Sequence, residues 1–89
     1  MALVRFTANI QRHVACPERT VEGVTVAETL EAYFRENDAA RGYVLDDQGN
    51  LRTHMVVFVD GQHIRDRATL SDPVGADGVV DVMQALSGG

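Results

Sequence analysis

Apolar positions that recur every second residue mark the two ends of the chain as strands. Near the start, the recurring apolar residues are Val4, Phe6, Ala8 and Ile10. Successive side chains of a strand point to opposite faces, so this spacing predicts a strand that continues through Ile10 with one apolar face. The same rule predicts a last strand over residues 79–85, with Val80 and Val82 turned inward.

Helical spacing, in which apolar residues recur every three or four positions, follows in the first half. The residues of this stripe are Val26, Leu30, Tyr33 and Phe34. Thr25 and Glu28 form a capping box, so we expect the helix to begin at Thr25 and the Glu28 side chain to accept a hydrogen bond from the Thr25 N–H. The helix should end near Asn37. On its outer side, Glu31 and Arg35 have the spacing of an ion pair.

Strand and turn signals fill the rest of the chain. The predicted strands lie over residues 19–23, 53–59 and 62–65. Asp60-Gly61 is a hairpin signal, so the last two of these strands should pair with each other. Pro17 comes just before the first of them and lacks an N–H, which favours a position at the edge of a sheet. A short helical turn is predicted over residues 38–42.

The order of these elements predicts an α+β domain. We expect a mixed sheet of about five strands with one main helix packed on one face, because a single amphipathic helix must cover one face of the sheet. The first and last strands then lie side by side and parallel in the middle. This is the β-grasp arrangement of ubiquitin. The predicted domain covers residues 1–86, and residues 87–89 form a flexible C-terminal tail.

The sequence ends in Gly88-Gly89, a pair without side chains. Glycine permits conformations and close backbone approaches that a Cβ forbids. A tail of this kind can enter a narrow slot and present its carboxylate to the active site of another protein. Chance alone places a glycine pair at the end of roughly 0.5% of chains. The rest of the sequence therefore decides how the pair is interpreted.

Composition and charge weigh against several function classes. The 89 residues make one domain with a net charge of −5, and nucleic-acid binding is disfavoured because phosphate contacts need clustered basic residues. The single cysteine, Cys16, cannot form an internal disulfide and fits a reducing compartment. No apolar run has the length of a leader peptide or a membrane span, so we expect a cytoplasmic protein without a membrane partner.

No group of side chains has the spacing of a catalytic or metal site. His13, His54 and His63 do not follow a metal-ligand pattern, and in the predicted hairpin His63 lies opposite Phe58 rather than His54. Asp46-Asp47 lies in a segment dense in turn-forming residues, where a solvated loop is favoured over acid–base catalysis. We therefore expect no catalytic residue, no bound metal and no enzymatic activity.

The fold and the tail together resemble the MoaD/ThiS family of ubiquitin-like sulfur carriers. The likeness lies in residues 56–61 (an apolar strand and its turn), 76–82 (the turn into the last strand) and 85–89 (the approach to Gly-Gly). The departures from the family pattern are Asp60 for Asn, the swapped order of Asp77-Gly78, Gln84 for Pro and Ser87 for Ala. The loop that ends at residues 49–52 looks more like carriers of the cysteine-synthesis type than like the thiamine type.

The resemblance implies a function for the tail. In this family an E1-like enzyme uses ATP and magnesium to adenylate the terminal carboxylate, here that of Gly89. Sulfur then displaces AMP and leaves a thiocarboxylate, which donates sulfur in a biosynthetic pathway. The implied partners are the E1-like enzyme, a sulfur donor such as a cysteine desulfurase or rhodanese, and a downstream synthase that accepts the sulfur. Ser87, Gly88 and Gly89 thread into the partner, and the carrier binds no cofactor itself.

Strand parity and the resemblance together predict the partner surface. Leu3, Phe58 and Met83 are expected on the helix-free face of the sheet, and Leu86 continues this apolar surface into the tail. The alternative is that a loop covers Phe58 and makes it part of the core.

Two other functions remain open from the sequence. The chain can be a ubiquitin-like modifier that is joined through Gly89 to lysines of target proteins. It can also be a β-grasp binding module in which the tail has no chemistry.

Overall fold

The computed structural model describes residues 1–84 of the chain. These residues contain five strands and three helices. The strands are β1 (Ala2–Phe6), β2 (Arg19–Val21), β3 (Met55–Val59), β4 (Gln62–His63) and β5 (Val79–Gln84). The helices are α1 (Ala8–Gln11), α2 (Val26–Glu36) and α3 (Asp38–Val44). None of these helices is long and apolar enough to cross a membrane. The predicted boundary between domain and tail, at residues 86 and 87, lies outside the described residues.

The strands form one mixed sheet in the order β2-β1-β5-β3-β4. β1 and β5 are parallel neighbours, with Val4 opposite Val80, and the other pairings are antiparallel. β2 lies at one edge, where the missing N–H of Pro17 just before it interrupts no ladder. The predicted α+β class, the central parallel pair and the edge position of the second strand are confirmed.

The hydrophobic core lies between one face of the sheet and the helices. The sheet contributes the buried side chains Val4, Phe6, Val57, Val80 and Val82. The predicted stripe of α2 is buried in full, with Val26, Leu30, Tyr33 and Phe34. Each large apolar side chain buried in this way contributes about 1.5–3 kcal/mol. The stripe therefore holds α2 against the sheet and leaves the opposite face of the sheet free of helices.

β1 is shorter than the alternating pattern predicts. It ends at Phe6, and at Thr7 the chain turns into α1, where the N–H groups of Ile10 and Gln11 donate to the Thr7 carbonyl at 3.1 and 3.2 Å. Ile10 is still buried, because one helical turn places it on the same side as Phe6. Over so few residues, alternation and one helical turn bury the same positions, so the predicted strand through Ile10 is wrong beyond Phe6.

Both strands of the β3–β4 hairpin are also shorter than predicted. β3 begins at Met55 rather than at residue 53, because the Met55 N–H donates to the Arg52 carbonyl at 2.9 Å and closes a turn. β4 ends at His63, because the Arg65 N–H donates to the Asp72 carboxylate at 2.9 Å instead of continuing the ladder. α3 exceeds the predicted helical turn and continues to Val44.

One of the two hydrogen bonds of the capping box at the start of α2 comes from the residue before the one expected. Thr25 Oγ1 accepts from the Glu28 N–H at 3.2 Å, as expected. The Glu28 carboxylate, however, accepts from the Val24 N–H at 2.9 Å rather than from the Thr25 N–H. Both bonds satisfy N–H groups at the helix entrance, so the box still fixes where α2 begins.

Gly23, immediately before this cap, is held in a conformation that only glycine adopts easily. Its φ is +145°, and a Cβ would lie 2.8 Å from the Thr29 nitrogen and 3.0 Å from the Glu28 carbonyl carbon. We expect Gly23→Ala to lower the free energy of unfolding by about 2–4 kcal/mol, since it adds backbone strain and a clash with helix backbone. Urea denaturation measures this loss. Gly75→Ala, where a Cβ meets nothing within 4 Å, is the control and should change stability little.

The predicted ion pair between Glu31 and Arg35 is replaced by one between helices. Arg41 of α3 donates two hydrogen bonds to the Glu31 carboxylate, both at 2.9 Å. The hydrogen bonds from Arg41 lower the pKa of Glu31. The Arg41 guanidinium also lies 5.5 Å from the centroid of the Phe34 ring. A bidentate partner from the next helix therefore outcompetes the neighbour one turn away.

Candidate functional site

The last strand carries the chain from the centre of the sheet towards its tail. β5 lies between β1 and β3, and Val80 and Val82 fix its inner face in the core. Gln84, the last described residue, is opposite Met55 and accepts a 3.3 Å hydrogen bond from the Tyr43 hydroxyl. The predicted interface residue Leu86 and the predicted tail residues Ser87, Gly88 and Gly89 lie outside the described residues. The body therefore fixes the point from which the tail starts.

A shallow groove lies on the helix-free face beside β5. The residues that line it are Arg5, Thr7, Phe58, Gly61, Asp81 and Met83, and its volume is about 350 Å³. Met83 is 38% exposed, and Phe58 is half-buried with its ring centroid 4.2 Å from that of His63. Phe58 is not part of the hydrophobic core. The structure therefore brings Phe58 and Met83 together on an accessible surface, as strand parity predicts.

Leu3 lies on the same face but outside this groove. It is opposite Val79, at the start of β5, whereas Met83 lies near the end of that strand. Along the two strands, the Arg5–Asp81 pair lies between Leu3 and Met83. Leu3 is half-buried. The three predicted apolar residues thus share one face without forming one continuous patch, and their role as a partner interface stays a prediction.

An ion pair crosses the floor of the groove between β1 and β5. Arg5 Nε lies 2.7 Å from Asp81 Oδ1, and Arg5 Nη2 lies 3.0 Å from Asp81 Oδ2. The hydrogen bonds that Arg5 donates to Asp81 raise the pKa of Arg5. This pair was not predicted from the sequence. The signal that could have indicated it is strand parity, which turns Arg5 and Asp81 to the same face of two adjacent parallel strands. Apolar side chains beside a polar pair are typical of a protein-binding surface.

Comparison with solved structures gives the fold a name. A chain of the Amycolatopsis orientalis BexX/CysO complex matches with a TM-score of 0.82 at 17% identity, and the match covers 100% of both chains. SAMP1 from Haloferax volcanii matches with 0.77 at 22% identity over 99% of this chain and 98% of that one. Mycobacterium tuberculosis CysO, an antigen, matches with a TM-score of 0.80 at 13% identity, and the match covers 97% of this chain and 100% of that one. No family model and no curated protein matches the sequence.

The chain has the ubiquitin-like β-grasp fold. The fold that the resemblance implies is thereby confirmed. The identities of 13–22% leave the chemistry to be argued from this chain's own residues.

Asp60 serves the β-grasp body rather than any chemistry. Asp60 and Gly61 both have positive φ, 51° and 83°, as the tight hairpin turn requires. The Asp60 carboxylate also accepts from the Val79 N–H at 2.9 Å and so ties the hairpin to the start of β5. The predicted role of Asp60 in the turn is confirmed, and its bond to β5 is an addition that the sequence did not reveal.

The other candidate side chains, Cys16, Asp46 and His63, have the contacts of core, loop and strand residues. Cys16 is buried, and burial raises the pKa of its thiol, which lowers the fraction of reactive thiolate. Asp46 accepts from the backbone N–H groups of Gln48 and Asn50, each at 2.9 Å, as a loop-stabilising residue does. His63 pairs with Phe58, as predicted. In residues 1–84, no three His, Cys, Asp or Glu side chains are grouped to hold a metal ion.

Proposed function

We propose that this chain is a ubiquitin-like sulfur carrier whose reactive group is the Gly89 carboxylate. The observation that carries the proposal is the route of β5. This strand is fixed between two neighbours in the middle of a β-grasp sheet and leads, after Gln84, into a five-residue segment that closes with Gly88-Gly89. A rigid body with a side-chain-free end can be held by one surface while its carboxylate reacts elsewhere.

The proposed chemistry takes place on the partner enzyme. The Gly89 carboxylate attacks the α-phosphorus of ATP, whose magnesium ion the partner binds, and pyrophosphate leaves. A sulfur donor of the desulfurase or rhodanese kind carries its sulfur as a persulfide, whose terminal sulfur attacks the acyl carbon, and AMP leaves with the electron pair of the broken C–O bond. A second thiol then attacks the donor sulfur of the acyl disulfide, so that the two thiol sulfurs are oxidised to a disulfide and the chain is released as a thiocarboxylic acid. The thiocarboxylic acid loses a proton and carries its sulfur to a downstream synthase. No side chain of the carrier is catalytic in this scheme, so the chain is not an enzyme.

The groove of Phe58 and Met83 is the proposed docking surface for the activating enzyme. We expect Met83→Glu to raise the KM of that enzyme for the carrier about tenfold, because it places a charge in an apolar contact. The unfolding temperature should stay the same, since Met83 is exposed.

Val24→Glu is the matched control for this prediction. Val24 is 66% exposed and lies before α2, away from the helix-free face. Val24→Glu should leave the KM of the activating enzyme for the carrier within about twofold of the wild-type value, because substitutions outside an interface change binding little. Equal KM values for Met83→Glu and Val24→Glu would show that the groove is not part of the docking surface.

A modifier is the second candidate, supported by the structural likeness to SAMP1, which is named a small archaeal modifier protein. In that case a lysine amine, rather than sulfur, attacks the activated Gly89. The sequence contains eight arginines and no lysine. Any lysine-linked conjugate that carries this chain therefore identifies a different protein as the target, which makes the modifier reading simple to test.

Reconstitution tests the proposal. The chain is incubated with the E1-like enzyme of its host, ATP and magnesium, and pyrophosphate release is followed. Release that requires Gly89, followed by a C-terminal thiocarboxylate when sulfide is added, supports the carrier. Lysine-linked conjugates on other host proteins, without thiocarboxylate, support the modifier. No pyrophosphate release above the rate without the chain overturns both and leaves a binding module.

A further inference from the structure

A second groove surrounds the point where the tail starts. The residues that line it are Gly42, Tyr43, Arg52, His54, Met55 and Gln84, and we call it the tail-root groove. Tyr43 is held there on two sides, by the hydrogen bond to Gln84 and by the His13 ring, which stacks on it with centroids 5.6 Å apart. The groove therefore adjoins Gln84, the last residue that the structure describes.

The lining of the tail-root groove includes one arginine, Arg52, and one histidine, His54, and it has no carboxylate. A second arginine, Arg67, lies beside Arg52. Arg52 Nε donates to the Gly42 carbonyl at 2.9 Å, and Arg67 Nη2 donates to the Arg52 carbonyl at 3.2 Å. Each guanidinium has five N–H donors, so these backbone contacts occupy only part of each group. Within residues 1–84, neither arginine takes part in an ion pair, in contrast to Arg5 and Arg41.

The opposite charge dominates the groove beside α2. Its lining includes Glu22, Glu28 and Glu31 with a single arginine, Arg35. A chain with a net charge of −5 thus has two arginines without an ion pair within residues 1–84 at or beside the tail-root groove and three glutamates in the groove beside α2. Such an asymmetry orients an approaching acidic surface towards the tail and away from α2, because opposite charges steer the encounter and like charges oppose it.

We propose that the tail-root groove binds carboxylate side chains of the protein that receives the tail. The inference rests on the proposed function and adds the chemistry of the partner: Asp or Glu residues around the entrance through which the tail passes. The contacts on this chain are Arg52 and His54, which line the groove, and Arg67, which lies beside Arg52. They position the tail and take no part in the reaction at Gly89.

Charge reversal with the activating enzyme of the host tests this inference. Arg67→Glu and His54→Glu are the main variants, because neither removes the bond from Arg52 to the end of α3. Arg35→Glu, on α2, makes the same charge change as Arg67→Glu at the acidic groove and is the matched control. Thermal unfolding checks that each variant is folded. The KM for the carrier, the KM for ATP and kcat are measured at low and high salt.

We expect Arg67→Glu to raise the KM for the carrier about tenfold with kcat unchanged, and Arg35→Glu to have less than about a twofold effect. The difference should shrink at high salt, because exposed charges are screened. Equal KM values for Arg67→Glu and Arg35→Glu, with wild type active, overturn this inference alone. A raised KM for ATP instead shows a phosphate contact and also overturns it. Failure of the wild-type chain to be adenylated overturns the proposed function and this inference with it.

Discussion

Gly89→Val is expected to reduce adenylation of the chain by at least about a hundredfold while leaving the unfolding temperature unchanged. A branched side chain next to the reacting carboxylate misplaces it in a slot shaped for bare backbone, and small misplacements at a reacting centre cost about this factor. The substitution lies outside the described residues 1–84 and changes none of the core side chains in that range, such as Val80 and Val82. Pyrophosphate release by the host's E1-like enzyme measures the loss.

Gly75→Val is the control for this variant, because a Cβ there meets nothing within 4 Å. It should be adenylated at the wild-type rate. If Gly89→Val were also adenylated at that rate, the tail would not be the reactive end and the proposed function would fail.

Phe34→Ala is expected to lower the free energy of unfolding by about 3–5 kcal/mol. Phe34 is fully buried, with its ring edge-on to Tyr33 at 5.8 Å between centroids. The shortened side chain loses its apolar burial and leaves a cavity between α2 and the sheet. Since a domain of this size is stable by only about 5–10 kcal/mol, the loss removes a large part of its stability. Urea denaturation measures it, and Phe34→Leu gives a smaller, readable loss if the alanine variant does not fold.

Phe58→Ala is the matched control, because it removes the same ring from the helix-free face. Phe58 is half-buried and outside the core, so its loss should cost about 1 kcal/mol or less. The two substitutions therefore separate a stabilising phenylalanine from one that is available to a partner. Equal losses of stability at the two positions would show that Phe58 belongs to the core after all.

Most of the fold could be predicted from the sequence because its elements carry strong local signals. The stripe of α2, its Thr25 cap and the Asp60-Gly61 turn each depend on residues within a few positions of one another. The strand parity then placed Val80 and Val82 inward and left Phe58 and Met83 on the other face. These positions follow from the two-residue period of a strand, which holds wherever the strand is long enough.

The misses share a physical cause, which is competition from residues distant in sequence. Arg41 displaced Arg35 as the partner of Glu31, and Asp72 ended β4 by accepting from Arg65. The Arg5–Asp81 pair joins the first and last strands, so its residues are far apart along the chain. The tail-root groove is assembled from three segments and has no local signal. Strand parity could have indicated the Arg5–Asp81 pair, but the other pairings become visible only when the chain is folded.

The central claim is that Gly89 carries sulfur, and one measurement tests it most directly. The protein is isolated from its own host without reducing agent, cleaved after arginine, and the peptide that follows Arg67 is sequenced by high-resolution mass spectrometry. High resolution is needed because this peptide contains Met83, and an oxygen added to methionine nearly equals an oxygen-to-sulfur exchange in nominal mass. We predict one oxygen replaced by sulfur at Gly89. Two results together would contradict this claim. The peptide from the isolated protein would end in an unmodified Gly89 carboxylate, and the same would hold after the protein has been incubated with ATP, sulfide and the host's activating enzyme.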